Sequence, residues 1–222
     1  MLCIIQSRMS SNRLPGKMLM NIAGRPLLGR VIDRVKGAKE VSKLIVATSI
    51  QKDDDAIEDF CLKEGIDCFR GNLENVYKRF KDIVIKEKVE NFIRISGDSP
   101  LIDPELIDFA VKFSCKEKYD LITNIFPRTF PKGQSIEIIS TKPFIKLEDF
   151  KMTLEQKEHV TKYFYDNAEN FNLKNLKSST NFCDLNFCVD TPNDLKRIET
   201  IFLKEDFIQI KWAHFFNNTY EN

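Results

Sequence analysis

Three cationic side chains fall within ten residues near the start of the chain, in the order Arg8-Met9-Ser10-Ser11-Asn12-Arg13-Leu14-Pro15-Gly16-Lys17. Guanidinium forks, an ammonium, the Ser11 hydroxyl and backbone N–H groups freed by a glycine are the groups that hold a polyphosphate. The G-x-x-x-x-G-K-[ST] order of a P-loop is absent, and a solvated basic loop would carry the same charges. Two aspartates close apolar runs, Asp98 after Phe92 to Gly97 and Asp190 after Phe187 to Val189. Magnesium takes one or two carboxylates and completes its shell with phosphate oxygens and water, so such a pair suits it. A turn residue at 98 and a helix N-cap at 190 are the structural alternatives. Asp53-Asp54-Asp55 also offers a D-x-D spacing, but it stands where a helix begins and acids favour the helix dipole, so capping is its expected role.

These residues need elements to bring them together, and the hydrophobic pattern supplies them. Leu2 to Gln6 reads as a buried strand feeding the basic loop, and Pro26 as the first position of a helix with Leu27, Leu28, Val31, Ile32 and Val35 on its inner face. Leu44 to Thr48 is a second strand, followed by a helix from Asp53 that stops at Gly65. Asp67 to Phe69, Leu73 to Lys88 and Phe92 to Ser96 repeat the alternation as strand, helix and strand. Crossovers of this kind join parallel strands, and such sheets carry ligands beyond the carboxyl ends, where the loops Ser7 to Lys17 and Gly97 to Asp103 fall. Pro104 begins a further helix and Asp120 to Thr123 a further strand. Beyond Asn124 the pattern loosens. Ser135 to Ser140 reads as a strand, Glu155 to Glu169 as a helix, Asn186 to Val189 as a strand and Pro192 to Leu203 as a helix.

The order R-x-x-S-x-R-L-P-G-K resembles the N-terminal signature of the cytidylyltransferases that make CMP-3-deoxy-manno-octulosonate and of the related acylneuraminate enzymes. It is followed by Val46-Ala47-Thr48, Phe69-Arg70-Gly71, the run Arg94 to Asp103, Pro127 to Pro131, Glu158 to Thr161 and Val189 to Leu195, all in the order of that superfamily. The whole chain is most similar in pattern to the spore-coat polysaccharide biosynthesis group within it. The resemblance implies a Rossmann-like three-layer α/β/α nucleotidyltransferase fold with a mixed, mostly parallel sheet. It implies that Arg8, Ser11, Arg13 and Lys17 bind the triphosphate of CTP, with Arg13 and Lys17 at the leaving pyrophosphate. Thr48 and Arg70 match positions near base and ribose, although strand-end packing and a surface salt bridge would explain them equally. Asp98 and Asp190 match the Mg2+ pair, which makes Arg13, Lys17 and Asp98 the catalytic candidates. Arg128, Glu137, Glu158 and His159 match the half that receives the acceptor, a small acidic sugar or a sugar or polyol phosphate. Lys132 lies in the same stretch but reads equally well as a solvated loop residue. Where the octulosonate enzymes have Q-G-D-E-P, this chain has Ser96-Gly97-Asp98-Ser99-Pro100, so the octulosonate acceptor itself is not implied. A homodimer is expected, with the irregular half or Trp212 to Phe216 as contact.

Composition narrows the alternatives. A net charge of +1 over 222 residues does not describe a general nucleic-acid binder. With 42% hydrophobic residues and no run near the roughly 18 apolar residues of a membrane span, neither nucleic acid nor membrane is an expected partner. Six cysteines without a C-x-x-C pair, and two histidines far apart, read as reduced, mostly buried thiols rather than a zinc site. The N-terminal apolar run is too short for a signal peptide, so a cytoplasmic location is expected. Residues 1–222 are read as one nucleotidyltransferase domain, with 1–124 the nucleotide-binding half and 125–222 the acceptor and dimer half. Two rivals stay open on the sequence: a glycosyltransferase of similar architecture that consumes a nucleotide sugar, and a non-catalytic nucleotide-binding subunit.

Overall fold

The computed structural model describes residues 1–204 and Trp212. Of the expected dimer segment Trp212 to Phe216, all but Trp212 lies outside the described residues, as does His214. The strands alternate as their sequences require. In β1 (Leu2–Gln6), Cys3 and Ile5 face one side of the sheet and Leu2 and Ile4 the other, because successive side chains of a strand point to opposite faces. A short hairpin, β2 (Asn21–Ile22) and β3 (Arg25–Pro26), precedes α1 (Leu27–Lys36). The order then runs β4 (Lys43–Ser49), α2 (Asp55–Lys63), β5 (Asp67–Gly71), α3 (Val76–Glu87), β6 (Asn91–Ser96) and α4 (Pro104–Ser114). The second half adds β7 (Leu121–Thr123), β8 (Glu137–Ser140), α5 (Thr141–Lys146), α6 (Leu154–Glu158), α7 (Lys162–Asp166), β9 (Leu173–Asn175) and α8 (Pro192–Leu203).

Seven of these strands form one sheet in the order β5-β4-β1-β6-β8-β7-β9. β5, β4, β1 and β6 are mutually parallel, β8 runs antiparallel to both β6 and β7, and β9 is parallel to β7. Two apolar layers flank it. Residues of α1, α2, α4 and α8, among them Val31, Ile57, Ile107 and Ile198, pack with Cys3, Ile5, Val46 and Ile95. Residues of α3, α5 and α7, among them Phe80, Phe144 and Phe164, pack with Ile4, Ala47 and Phe92 on the opposite face. The result is the expected three-layer α/β/α fold with a mostly parallel sheet.

Four local expectations are corrected. Asn186 to Val189 is not a strand: only Asn186 makes an isolated parallel bridge, to Lys132, because the segment turns to deliver Val189 and Asp190 to the site. The helix expected over Glu155 to Glu169 breaks at His159, with α6 and α7 as separate pieces and Val160 fully buried between them. Pro26 lies in β3 and at the N-cap of α1 rather than inside the helix. Of the six cysteines, all unbridged, Cys3 and Cys61 are buried, Cys68, Cys183 and Cys188 partly buried, and Cys115 exposed. No helix among the described residues is long and apolar enough to cross a membrane.

Candidate active site

The parallel core delivers β1, β4 and β6 to one edge, and the chain leaves β1 directly into the basic loop. Asp54 ties that loop down. Its carboxylate accepts from the Met9 N–H at 2.6 Å, from the Ser49 N–H at 3.0 Å and from the Ser49 hydroxyl. Asp54 is 1% exposed and makes no side-chain cap for α2. The expected capping role is therefore wrong for this residue, whose acceptors are used up in joining the loop to the end of β4. Ser11 shapes the loop from within, its Oγ accepting from the Leu14 N–H at 3.3 Å.

At the neighbouring strand end, Gly97 lets β6 approach β1 closely: its N–H donates to Gln6 O at 2.9 Å, and a Cβ there would sit 2.8 Å from that oxygen. Asp98 follows, and its carbonyl accepts from the Val189 N–H at 2.9 Å, which draws Asp190 alongside. The α8 N-cap is Thr191, with a reciprocal capping box to Asp194 and Pro192 in the first turn. The carboxylate of Asp190 is thus released from the helix. Both aspartates converge on one ammonium: Lys17 Nζ lies 3.2 Å from Asp98 Oδ2, 2.9 Å from Asp190 Oδ1 and 2.8 Å from Val189 O. Arg13 adds a second cation, 3.0 Å from Asp190 Oδ1. The Lys17 side chain is only 7% exposed and that of Arg13 is 66% exposed. One is a buried charge with three oxygen partners, the other an exposed charge with one.

A cavity of about 320 Å³ opens here, lined by residues that include Arg8, Ser11, Arg13, Lys17 and Asp98. Its size fits a small-molecule ligand. Arg8 also reaches across to the second half, with a guanidinium nitrogen 3.1 Å from Glu158 Oε1. Two nucleotide candidates lie apart from the cavity. Thr48 is fully buried with its hydroxyl unpartnered, and Arg70 is engaged by Asp55 at 2.6 Å, Glu58 at 2.7 Å and the carbonyls of Ser49 and Gln51.

The acceptor candidates divide in the same way. Glu137 is 1% exposed, paired with Arg94, and accepts from Thr161 Oγ1 at 2.7 Å and Tyr165 OH at 2.5 Å. Arg94 in turn donates to Gln6, a residue of the cavity wall, so Glu137 stands two side chains behind that wall. His159 is exposed at the break after α6. Arg128 is half-buried and donates to Pro131 O at 3.3 Å and Ser135 Oγ at 3.0 Å. Burial lowers its pKa, and the nearby Cys188 and Glu137 oppose that. Cys188, whose thiol burial pushes up to about 12, lies 3.9 Å from Ser99 Oγ, which donates to Asp98 at 3.3 Å.

Sequence reasoning passed over Ser7 and Arg79, which also line the cavity. Arg79 carried a signal. It sits on the inner stripe of α3 between Val76 and Phe80, where a charge is out of place.

Residues 2–217 match the sequence profile of the family described as Cytidylyltransferase. The chain belongs to that family. It is 32% identical to the spore coat polysaccharide biosynthesis protein SpsF of Bacillus subtilis strain 168 over 91% of this chain and 86% of that protein. A more partial likeness, 34% over 49% of this chain and 42% of the relative, is to the 3-deoxy-manno-octulosonate cytidylyltransferase of Geobacter sulfurreducens. Among solved structures, a cytidylyltransferase from Leptospira borgpetersenii superposes with a TM-score of 0.89 at 26% identity, covering 96% of this chain and 90% of the other. The CMP:2-keto-3-deoxy-manno-octonic acid synthetase complexed with CTP superposes with a TM-score of 0.70 at 18% identity, covering 92% of this chain and 98% of the other, a likeness of fold.

Proposed function

We propose that this cytidylyltransferase moves CMP from CTP to an acidic sugar or a sugar or polyol phosphate, releasing pyrophosphate, in the synthesis of a surface polysaccharide. The observation that carries the reading is the convergence of Asp98 and Asp190 on the Lys17 ammonium, with Arg13 beside it. Two carboxylates and two cations in one pocket match what phosphoryl transfer needs, since positioning and charge neutralisation supply most of its rate. The spore-coat relative and the octulosonate relatives support a sugar-like acceptor.

The donor set fits magnesium. Asp98 and Asp190 offer hard carboxylate oxygens to a point now filled by a cation, and among the described residues no group of three or more His, Cys, Asp or Glu side chains gathers that could hold a metal. Two carboxylates with room left for phosphate and water suit Mg2+ rather than zinc. Bound there, the ion would supply charge neutralisation at the α-phosphate and activation of the incoming hydroxyl. Lys17 and Arg13 would meet the charge that develops on the departing pyrophosphate, and Arg8 and Ser11 would grip the β and γ phosphates. Arg128 has no carboxylate within ion-pair distance among the described residues, and it serves the negative charge of the acceptor.

The test incubates the protein with each of the four nucleoside triphosphates and a panel of acidic sugars and sugar phosphates, with and without Mg2+, and follows pyrophosphate. Release that needs CTP, an acceptor and Mg2+ is expected. Release of a nucleoside diphosphate from a nucleotide sugar would replace the reading with a glycosyltransferase. CTP binding without product across the panel would leave a nucleotide-binding subunit.

A further inference from the structure

Two thiols meet between α2 and the edge of the sheet. Cys61 stands in the last turn of α2, fully buried, and Cys68 follows on β5. The chain reverses tightly between them: Gly65 takes a φ of +64°, and the Ile66 N–H donates to Cys61 O at 2.9 Å. Side chains alternate along β5, so Phe69 joins the layer of α3 while Cys68 packs against the layer that holds Cys61, Ile57 and Val46. There the Cys61 thiol donates a hydrogen bond to the Cys68 sulfur. Both thiols are unbridged. Among the described residues no group of three or more His, Cys, Asp or Glu side chains gathers that could hold a metal, so the pair is a redox dithiol rather than part of a metal site.

Their surroundings divide the work. Cys68 is partly exposed on β5, an edge strand with a neighbour on one side only, so a small oxidant can reach it. The hydrogen bond from Cys61 holds the Cys68 pKa below that of an ordinary thiol, over the opposing effects of burial and Glu58. That favours the thiolate, the form that attacks an oxidant. Cys61 is raised by the same hydrogen bond and by burial, which keeps it a thiol against its partner. The other cysteines compete poorly or alone: burial raises Cys3 and pushes Cys188 up to about 12, and Cys115 is exposed with only Val111 O as a hydrogen-bond partner.

We propose that Cys61 and Cys68 form a hydroperoxide-sensitive dithiol that closes into a disulfide and locks α2 to β5. The Cys68 thiolate attacks the hydrogen-bearing oxygen of the hydroperoxide, the O–O bond breaks, and the other oxygen leaves and takes a proton to become an alcohol or water. Cys68 is now a sulfenic acid. The Cys61 sulfur attacks it, the S–S bond forms, and the hydroxyl departs with the Cys61 proton as water, so two thiols are oxidised and one hydroperoxide is reduced. A small thiol reverses the bond by exchange. Neither cysteine lines the nucleotide cavity, but α2 begins directly after Asp54, the residue that holds the basic loop, so the lock braces the frame behind that loop. The test needs neither nucleotide nor acceptor. The full chain, freed of reductant, is treated with an equimolar amount of hydrogen peroxide and alkylated in denaturant. Trypsin then separates the two cysteines at Lys63 for mass spectrometry. The wild type is expected to give one major cross-link, Cys61 to Cys68, two hydrogens lighter than the reduced peptides and lost with dithiothreitol. Its urea midpoint should rise on oxidation and return on reduction, because a cross-link restricts the unfolded chain. Cys61→Ala should leave Cys68 as a sulfenic acid that dimedone traps, and Cys68→Ser should slow oxidation of Cys61 by at least about tenfold. Cys115→Ser should leave the cross-link unchanged. Should Cys61→Ala fail to fold by circular dichroism, the wild type and Cys68→Ser decide. Full alkylation of Cys61 and Cys68 after other cysteines have been oxidised overturns the inference, as does a dominant cross-link to any other cysteine.

Discussion

Lys17 is a buried ammonium that two aspartates and one carbonyl share, and charges removed from water are held only by such pairing. The sequence showed the basic order and the two aspartates, but not that they meet: the partners lie 81 and 173 residues away from Lys17. Asp98→Asn keeps the shape and removes the charge. It is expected to lower pyrophosphate release by at least about a hundredfold, ~2.7 kcal/mol of barrier, with the circular dichroism spectrum unchanged; turnover near that of the wild type would take Asp98 out of the machinery. Asp54 is the opposite case, a residue whose position at a helix start suggested capping while its burial assigns it to the loop. The local spacing could not distinguish the two, because both roles use the same acceptor oxygens on different N–H groups. Asp54→Ala leaves the donors of Met9 and Ser49 unpaired and should cost roughly 2–4 kcal/mol in urea unfolding at neutral pH, since each buried orphan costs about 1–3 kcal/mol. A loss below about 0.5 kcal/mol would return Asp54 to the ordinary surface class.

At the level of elements, the regular first half was legible because apolar runs at helical and strand spacing leave little choice. β1, β4 and β6 begin and end within a residue of their sequence expectations, and α4 begins at Pro104 as expected. The second half was less so, and the reason is visible around α6. Val160 must enter the core, so the chain breaks the helix at His159 to turn it inward, a tertiary demand that overrides local propensity. That break also sets Glu158 opposite Arg8, adding an ion pair to those that Arg13 and Lys17 make with Asp190 in the second half. Both side chains are partly exposed, at 38% and 42%, so the pair itself contributes little, about 0–1 kcal/mol. Its interest is competitive: Arg8 cannot pair with Glu158 and meet a triphosphate with the same nitrogen. Glu158→Gln frees Arg8, and the KM for CTP should fall by up to about fivefold, the kinetic equivalent of that small energy. A KM that rises instead would mean that Glu158 positions Arg8 for the nucleotide rather than withholding it.

For the whole molecule, the expected division at Asn124 into a nucleotide half and an acceptor half does not follow the sheet. β8 lies between β6 and β7 in the sheet, so the second half supplies a central strand rather than an appendage. The buried Arg94–Glu137 pair spans that junction, and Gln6 links it to the cavity wall. Asp190, one of the two convergent carboxylates, arrives only just before α8. None of this could be read from the hydrophobic period, which gives strands their faces but not their neighbours. A fragment ending at Asn124 would leave the long apolar edge of β6 unpaired, with β7 detached from its two neighbours, and would take from the part-buried Arg94 its carboxylate partner, Glu137. It is expected to show no cooperative thermal transition, to bind a dye that reports exposed apolar surface, and to bind CTP at least about a hundredfold more weakly than the full chain. A cooperative transition in that fragment would mean that the parallel core β5-β4-β1-β6 is stable alone. The sheet order argues against it, because β6, with Phe92, Ile93 and Ile95 fully buried, is a central strand and not an edge.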